Sequence, residues 1–349
     1  MRVLFLTLYP DAAASPRYRV AQFLPWLRAH GVECTVCPPM AEAAWRRLYG
    51  AGTRRAAAVY HLRELWGRAA QLLRARRYDV VFVQKALASA YVRGLPALLD
   101  RIDAPLVYDI DDAVHLAPPH APGWPWRLLE DRDQVHRVAA RADLVLAGNP
   151  WLAGELSGPG ARVEVFPTVV DTDRFTPPPA PPELFRVGWI GTPSTTPSLA
   201  PLAPVFAGLG DGEAVLVGAD PRQVDWAGVR CVPWRHDREV EEVRRFSVGI
   251  MPLPRDTWTR GKCALKALLY GACGVPCVAT PHGAVCHILR DGETGFFADA
   301  PDDWAAALQR LRDPVLRRRL GEAGRAVVER DYSLKTAAPR LLALLEGLR

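Results

Sequence analysis

The sequence has no apolar run that approaches the roughly 20 residues needed to cross a bilayer. Its first segment, Met1–Pro10, is too short for a secretory leader, and Asp11 follows it in place of a cleavage-type sequence. We therefore expect a cytoplasmic chain without a membrane-spanning segment.

The cysteines do not form a recognisable framework. There are seven, an odd number, scattered through mostly apolar surroundings, which favours reduced thiols over disulfides. Cys34 and Cys37 have the spacing of a redox or metal motif, but they lie in a strand-like segment and no second pair accompanies them. We expect no bound metal.

Internal repeats of solenoid period are also missing, and the one dense proline run is TPPPAPP at residues 176–182. With 349 residues and 49% hydrophobic content, the chain can bury two cores of ordinary domain size. The proline run reads as a stiff linker. We predict an N-terminal domain over residues 1–176, a linker over 177–182 and a second domain over 183–334. A C-terminal helix over 335–349 is expected to pack back toward the first domain.

Short apolar segments alternate with helical ones along both halves, which predicts doubly wound parallel sheets. The first predicted helix is Tyr18–His30. Ligands of such sheets bind at the carboxyl ends of the strands, so two sheets imply a cleft lined by those ends. The predicted strands are Val3–Leu8, Glu33–Cys37, Val80–Val83, Leu106–Tyr108, Leu144–Ala147, Val163–Phe166, Arg186–Ile190, Ala214–Val217, Arg230–Val232, Val248–Met251 and Val275–Ala279.

The stretch Arg260–Asp299 carries the most chemical information. A basic turn with Arg260 and Lys262 precedes a short apolar helix that holds Lys266, and a buried-type strand and the loop TPHGA follow. Helix N-termini and lysines at one sheet edge attract a diphosphate. An ordinary βα unit with surface lysines is the alternative.

Several segments resemble the donor-binding half of GT-B glycosyltransferases, in particular glycosyltransferase family 4. They are the run from Gly261 to Gly274, VPCVATPHGA and DGETGFFAD. SPRYRV, VYDIDDAV, ADLVLAGNPWL, VFPTVVDTDRF and VGWIGTPST occur in the order that such enzymes show. The resemblance implies a GT-B fold, with two doubly wound Rossmann-like domains facing each other across a cleft. It also implies retaining transfer from a nucleotide-diphosphate sugar, which is a substrate, with no cofactor.

One departure from that family concerns its two glutamates, which reach the donor sugar and the ribose. Gly261 and Leu269 stand at those positions, and neither side chain can accept a hydrogen bond. The usual basic residue after the second domain's first strand is replaced by the sequence GTPS at 191–194, and Lys262 and Lys266 are candidates to supply that charge. The identity of the donor therefore cannot be carried over.

The resemblance and the strand ends together assign roles to individual residues. Asp111, Asp112, Lys262 and Lys266 are the predicted catalytic residues. The predicted donor-binding residues are Gly191, Thr192, Trp234, Arg260, Gly261, Lys262, Lys266, His282 and Gly283. On the acceptor side we expect Arg17, Asp109, His115 and Asn149.

Alternatives remain for these residues. The cluster Asp109, Asp111 and Asp112 also fits a divalent metal, a hard cation that prefers carboxylates, or a structural role such as a helix cap or ion pair. Because the lysines already suit the diphosphate, we favour an acceptor role. Arg17, His115, Asn149, Trp234 and His282 each have a plain structural reading: surface arginine, loop histidines, helix cap or packing ring.

The basic surplus of the chain is local. Nine arginines and two acids lie in residues 41–77, a balance of +7 against +6 for the whole chain. Aromatic residues such as Trp45, Tyr49, Tyr60 and Trp66 are interleaved with them. This mixture is typical of an anionic membrane surface helix. A solvated helix face is the alternative, and no nucleic-acid fold motif supports nucleic-acid binding.

The sequence therefore predicts a metal-independent, retaining glycosyltransferase, cytoplasmic or peripheral on the inner face of the membrane. Its partners would be a nucleotide-diphosphate sugar and an unidentified acceptor, with a lipid-linked one among the options. Two alternatives stay open: a catalytically silent nucleotide- or lipid-binding protein, and another sugar-nucleotide enzyme such as an epimerase or phosphorylase.

Overall fold

A computed structural model describes residues 1–49, 54–89, 91–116, 131, 133–158 and 160–348. By their contacts the residues form two compact units. The first unit comprises Met1–Thr168, Gly261–Cys263 and Ala337–Arg349, and the second comprises Val169–Arg260 and Ala264–Thr336. The division of the chain at a proline-rich linker stays a prediction.

The first unit is built on a six-stranded parallel sheet with the order β2-β1-β3-β4-β5-β6. The three strands β3, β4 and β5 are buried along their whole length, which explains their continuous apolar sequences, whereas the edge strands β2 and β6 are partly exposed. The strands are β1 Arg2–Thr7, β2 Glu33–Val36, β3 Val80–Gln84, β4 Leu106–Ile110, β5 Leu144–Ala147 and β6 Val163–Val165.

The chain order reverses between β1 and β3, which pair in register from Val3 opposite Val80 to Thr7 opposite Gln84. In parallel sheets of this kind, ligands bind at the carboxyl ends of the strands beside such a reversal. A ligand site in this unit is therefore expected in the loops that follow β1, β3, β4 and β5.

One helix of the first unit differs from the prediction. The predicted helix Tyr18–His30 is interrupted at Val20, whose backbone is not helical, and Pro25 lies in the first turn of a new helix because it has no N–H to donate. The helices are α1 Ala14–Arg19, α2 Leu24–Ala29, α3 Glu42–Tyr49, α4 Arg54–Arg74, α5 Gln134–Arg141 and α6 Pro150–Leu156, with short 3-10 helices at Ala21–Phe23, Ala75–Arg77 and Pro96–Arg101.

The second unit has its own six-stranded parallel sheet, with the order β12-β11-β10-β7-β8-β9. The chain order reverses between β7 and β10, which pair from Val187 opposite Val248. The strands are β7 Arg186–Ile190, β8 Glu213–Val217, β9 Val229–Val232, β10 Val248–Met251, β11 Cys277–Ala279 and β12 Gly295–Phe297.

The core of the second unit lies between its sheet and its helices, with Trp189, Phe206 and Trp304 among its largest buried side chains. The helices are α7 Ala203–Ala207, α8 Glu239–Arg244, α9 Thr257–Arg260, α10 Leu265–Ala272, α11 Val285–Ile288, α12 Pro301–Arg310, α13 Pro314–Asp331 and α14 Leu334–Glu346, with 3-10 helices at Pro193–Leu202 and Pro221–Gln223. The residues of α14 from Ala337 onward cluster with the first unit.

All the predicted strands are present, with ends that differ by at most two residues. Three of them, Leu144–Ala147, Arg186–Ile190 and Val248–Met251, have the predicted bounds. The predicted α/β class with two parallel sheets is confirmed. Across the described part of the chain, no helix is both long and apolar enough to cross a membrane.

Candidate functional site

The first of the predicted aspartates is tied into the fold. Asp109 lies in β4 and is buried together with Arg19 of α1, whose Nε donates to Oδ1 and Oδ2 at 3.2 and 3.0 Å. Nη1 of Arg19 also donates to the Phe166 carbonyl at 2.8 Å. Burial raises the pKa of Asp109 to about 6, and the guanidinium opposes that rise, so the carboxylate stays ionised at pH 7. This geometry favours a structural role for Asp109.

Asp112 is the shared partner of two ammonium groups. Lys85 Nζ contacts its Oδ2, and Lys262 Nζ lies 3.7 Å from its Oδ1. Burial acts to raise the pKa of Asp112, but the two lysines outweigh it and the pKa is lowered. A carboxylate with a lowered pKa is a weak base. Asp112 is therefore suited to holding lysines in place.

One oxygen of Asp111 lacks a hydrogen-bond donor among the described residues. Its Oδ2 accepts from Ser15 Oγ at 2.5 Å, and Gln84 Nε2 in turn donates to Ser15 Oγ at 2.6 Å. Its Oδ1 is buried and has no hydrogen-bond partner within the described ranges; Lys85 Nζ, at 3.8 Å, is too far for a hydrogen bond. A buried acceptor without a donor is costly, so Asp111 Oδ1 is the oxygen of this cluster that would gain from a further hydrogen bond.

Lys85 is a site residue that the sequence analysis missed. It directly follows β3 at the reversal of strand order and has φ of 73°, a left-handed conformation that costs a residue with a Cβ about 1–2 kcal/mol. Hydrogen bonds hold its backbone: its N–H donates to Asp109 O at 2.7 Å and its carbonyl accepts from Tyr108 at 2.8 Å. Burial acts to lower the pKa of Lys85, but Asp112 and Asp111 outweigh it, so the pKa is raised and the ammonium stays charged. A lone lysine after an apolar strand was the available sequence signal.

The segment Gly261–Cys263 is bound at the carboxyl ends of β4 and β5 within the first unit. Asn149 caps α6 by accepting from Leu152 N–H at 2.9 Å, and its Nδ2 donates to the carbonyls of Gly261 and Lys262 at 3.0 and 3.3 Å. The Cys263 thiol donates to the Asp111 carbonyl at 3.1 Å. Burial, with a contribution from Asp111, raises the pKa of Cys263 to about 12, which keeps the thiol proton in place for this bond.

Gly261 leaves no room for a side chain. A Cβ on this residue would lie 2.6 Å from Ala113 Cβ and 2.8 Å from its backbone nitrogen. Gly261 stands at one of the two positions at which the resemblance to glycosyltransferase family 4 predicts a glutamate. The other, Leu269, is buried in α10. Both departures are thus built into the packing around these residues.

Arg17 and His115 are the remaining acceptor-side residues. The Arg17 guanidinium lies 5.3 Å from the centre of the Tyr18 ring. The His115 side chain is buried beside the rings of Trp151 and His136, with Nε2 at 3.7 Å from Glu155 Oε2. Burial lowers the pKa of His115, which Glu155 opposes and His136 reinforces, so that a neutral ring is favoured.

In the second unit, the loop after β7 has no basic residue of its own. Gly191 N–H donates to Val217 O at 2.9 Å, and the exposed Thr192 opens the 3-10 helix that follows. The ammonium of Lys266, on α10, lies 5.1 Å from the centre of the Trp189 ring, within cation–π range. Trp189 belongs to β7. A positive charge therefore lies beside the strand whose loop lacks one.

The loop after β11 packs on the end of α9. Gly283 has φ of 67°, and a Cβ there would lie 2.9 Å from the Arg260 carbonyl oxygen. His282 Nε2 lies 2.9 Å from the Asp256 carbonyl, which can only accept, so Nε2 carries a proton and donates to it. Arg260 itself is exposed at the end of α9. Gly283 is required for this close approach.

Trp234 follows β9 and is partly buried. Its Nε1 donates to Glu239 Oε1 at 3.3 Å, and its ring lies 6.3 Å from that of His236.

The residues predicted from the sequence fall into two groups. Asp111, Asp112, Lys262 and Asn149 are brought together in the first unit, whereas the second unit holds Gly191, Thr192, Trp234, Arg260, Lys266, His282 and Gly283.

No three histidine, cysteine, aspartate or glutamate side chains are grouped to hold a metal ion in the ranges that the structure describes. The charges of the aspartate cluster are instead matched by cations. Asp109 faces Arg19, and Asp112 faces Lys85 and Lys262. All seven cysteines are free thiols.

Comparison with known proteins agrees with this architecture. Residues 203–313 match the family described as "Glycosyl transferases group 1". A D-inositol 3-phosphate glycosyltransferase from Acidothermus cellulolyticus is 34% identical over 140 residues, which cover 39% of this chain and 27% of that protein. The matched part thus spans about a quarter of that relative's length.

Two longer matches extend over most of the chain. A GDP-mannose-dependent alpha-(1-6)-phosphatidylinositol monomannoside mannosyltransferase from Mycolicibacterium smegmatis is 27% identical over 263 residues, 66% of this chain and 69% of that one. The structure of Anabaena HepE in complex with UDP-glucose has a TM-score of 0.73 and 15% identity, and covers 99% of this chain and 100% of that one. The chain therefore has the GT-B fold, and its residues 203–313 match the glycosyl transferases group 1 family.

Proposed function

We propose that this chain is a glycosyltransferase that moves a sugar from a nucleotide-diphosphate sugar to an acceptor hydroxyl. One observation carries the proposal. Gly261–Cys263, a segment inside the matched residues 203–313, is bound at the strand ends of the first unit, and it brings Lys262 to the aspartate cluster. A cation for the leaving diphosphate and a carboxylate for the acceptor are thus neighbours.

The chemistry divides between these groups. Negative charge grows on the diphosphate as the glycosidic bond breaks, and Lys262 and Lys266 would offset that charge, an effect that is usually the largest single term in such sites. Asp111 would accept the hydrogen bond of the incoming hydroxyl, because its Oδ1 has no hydrogen-bond donor in the described part of the chain whereas Asp112 is held by two lysines. Asn149 and Cys263 would keep Lys262 in position through its neighbouring backbone.

Retention of anomeric configuration and independence of metal are finer parts of the proposal. Retention is supported by the resemblance to glycosyltransferase family 4. Metal independence is supported by the cations Arg19, Lys85 and Lys262, which already match the charge of the aspartates. A divalent ion would have to compete with them for the same oxygens.

The donor class is supported by two comparisons. Anabaena HepE has been solved with UDP-glucose, and the Mycolicibacterium smegmatis relative is named as GDP-mannose-dependent. The nucleobase and sugar stay open here, because Gly261 and Leu269 replace the two glutamates that would recognise the ribose and the sugar.

That replacement also favours a second candidate, a catalytically silent nucleotide-binding protein. The packing of Gly261 on Ala113 and the burial of Leu269 leave no side chain to contact a sugar hydroxyl from these positions. Enzyme and binder differ in one measurable respect, since an active enzyme hydrolyses its donor slowly when no acceptor is present.

The test is a donor screen followed by a pair of variants. Nucleoside diphosphates are screened by thermal shift, since a ligand that binds the folded state raises Tm. Hydrolysis of the matching nucleotide sugar is then measured. Donor affinity should survive in Asp111→Asn and Asp112→Asn, whereas transfer to an acceptor should fall more in Asp111→Asn. Binding without hydrolysis or transfer in the wild type would establish the silent protein.

We further propose that the acceptor is lipid-linked and that the chain works on the inner face of an anionic membrane. The Mycolicibacterium smegmatis relative is named for a phosphatidylinositol monomannoside acceptor, which supports a lipid. The arginine-rich residues 41–77 support an anionic surface. The domain boundaries predicted from the sequence, with a proline linker over 177–182, are a separate proposal.

A further inference from the structure

The helix α4, Arg54–Arg74, buries the polar residues that a surface helix normally exposes. Glu64 is fully buried, and its carboxylate accepts from the N–H of Ser89 at 2.7 Å and contacts its hydroxyl. Arg68 is also fully buried, and its guanidinium donates to the carbonyls of Leu87 and Thr7 at 2.7 and 2.6 Å. This face of the helix is held to the first unit by hydrogen bonds.

The opposite face of α4 is apolar. Val59, Leu62, Trp66 and Leu73 are all exposed, Trp66 to 76% and Leu73 to 65%. Their spacing of three, four and seven residues places them in one stripe along the helix. Folding of the unit gains little from Trp66 and Leu73, since these two side chains remain mostly in water. We call the four residues the α4 stripe.

Arginines border the α4 stripe. Arg55, Arg63 and Arg74 are exposed on the helix, and Arg76 and Arg77 are exposed just beyond its end. Glu64 is the sole acidic residue in the sequence from 54 to 77, and it is buried. The segment 54–77 itself is therefore positively charged and exposes no carboxylate of its own.

This arrangement corrects part of the expectation for residues 41–77. Tyr60 and Arg68, which the sequence analysis counted in the basic aromatic segment, are buried and serve the fold. Arg46 is exposed but paired with Glu42 of its own helix. The side chains of Arg54 and Tyr49, also counted there, lie outside the described residues. Of the aromatic residues named there, Trp66 is exposed as expected, and the aliphatic side chains of Val59, Leu62 and Leu73 supply the rest of the exposed apolar surface.

We propose that the α4 stripe inserts into the interfacial region of an anionic lipid surface, with the helix lying parallel to the membrane. Aliphatic side chains and a tryptophan would enter the boundary between headgroups and acyl chains, and the flanking arginines would contact lipid phosphates. The proposal gives the membrane contact proposed above a defined surface. It does not depend on glycosyl transfer, because docking needs neither donor nor acceptor.

Charge and composition favour lipid over other occupants. A second copy of the chain would bring the same arginines against each other, at a cost in repulsion. Nucleic acid would use the arginines, but the stripe of valine and leucine side chains offers no contact that a phosphate backbone prefers. An anionic lipid surface satisfies both the apolar stripe and its positive border.

The experiment is co-sedimentation with vesicles of phosphatidylcholine alone or with about 30 mol% phosphatidylglycerol, whose negative surface potential attracts arginine side chains. We expect binding to the anionic vesicles and little to the neutral ones. Trp66→Ser with Leu73→Ser should weaken binding by about tenfold or more through lost apolar contact. Arg63→Gln with Arg74→Gln should weaken it by about fivefold for each arginine and reduce its salt dependence.

Val315→Ser is the matched control, since Val315 is 70% exposed on α13 of the second unit. It should bind vesicles like the wild type. Unchanged Tm in the stripe variants would show that folding is intact. No binding to anionic vesicles at low salt, or equal binding by the Trp66 and Leu73 variant, would overturn the proposal. Loss of a dimer in that variant, or arginine-dependent binding of nucleic acid without vesicle binding, would overturn it in favour of those partners.

Discussion

Replacing Lys85 by methionine tests whether the aspartate cluster depends on this buried ammonium group. The Lys85 side chain is 10% exposed, and Nζ contacts Asp112 and lies 3.8 Å from Asp111 Oδ1. Methionine keeps most of the length of the side chain and removes its charge. Two carboxylates then remain with less positive charge around them.

The size of the stability loss follows from the burial of the ion pair between Lys85 and Asp112. Breaking a buried ion pair by removing one partner costs about 3–5 kcal/mol. Here the Asp112 side chain is 22% exposed, and Lys262 Nζ stays 3.7 Å from its Oδ1, which lessens the cost. We expect Lys85→Met to lower the free energy of unfolding of the first unit by about 2–3 kcal/mol.

Urea unfolding at pH 7, followed by circular dichroism, measures this loss. Lys335→Met is the matched control, because Lys335 pairs with Asp173 at 2.6 Å but both side chains are well exposed, at 65% and 71%. It should cost no more than about 1 kcal/mol. The double variant Lys85→Met with Asp112→Asn should show a coupling of at least about 1 kcal/mol. A loss no larger than that of the control, or zero coupling, would refute the reasoning.

The pH dependence has a definite sign. The pKa of Asp112 is lowered in the folded state below its ordinary 3.8, so its pairing adds stability above that pH and loses it as the pH falls through the folded value. The difference in stability between wild type and Lys85→Met should therefore be widest near neutral pH and narrow below about pH 4. A difference that grows on acidification would contradict the assignment.

Three further predictions concern ligands and backbone. Lys262→Ala and Lys266→Ala should each weaken nucleoside-diphosphate binding by about 1.5–3 kcal/mol in calorimetry, the range for a hydrogen bond to a charged group, and unchanged affinity in both would remove the diphosphate assignment. EDTA should leave turnover and donor affinity unaltered; if turnover stops and Mg²⁺ or Mn²⁺ restores it, the metal role of the aspartates returns. Gly283→Ala should lower Tm more than Gly292→Ala, because both residues have positive φ but only Gly283 has a neighbour, the Arg260 carbonyl, within 4 Å of the new Cβ. Equal losses would show that backbone strain alone matters.

The two sheets could be predicted from the sequence because buried parallel strands are short apolar runs bounded by turns, which is a local signal. Leu144–Ala147 and Val248–Met251 are buried throughout and have the predicted bounds. Prediction of the helix Tyr18–His30 was wrong, since apolar periodicity continues through Val20 although its backbone leaves the helix. β12, Gly295–Phe297, was not predicted, because this three-residue segment begins with glycine, a residue that is depleted in strands.

The partners of the charged residues could not be read from the sequence. Lys85 and Asp112 are 27 residues apart, and Cys263 and Asp111 are 152 apart, so their contacts depend on the order of strands in the sheet. Glu64 and Arg68 have the spacing of an exposed ion pair on a helix, yet both face inward.

The sequence by itself determined the class of the fold, the strand ends that carry polar residues and the local surplus of arginine, because each is written in neighbouring residues. Tertiary structure alone decided which face of α4 is exposed and which oxygen of the aspartate cluster has no hydrogen-bond donor within the described ranges. Those outcomes depend on hydrogen bonds between distant segments: Arg68 reaches the carbonyls of Thr7 and Leu87, and Ser15 occupies one oxygen of Asp111. Burial makes each unpaired polar atom costly, and Asp111 Oδ1 is one such atom.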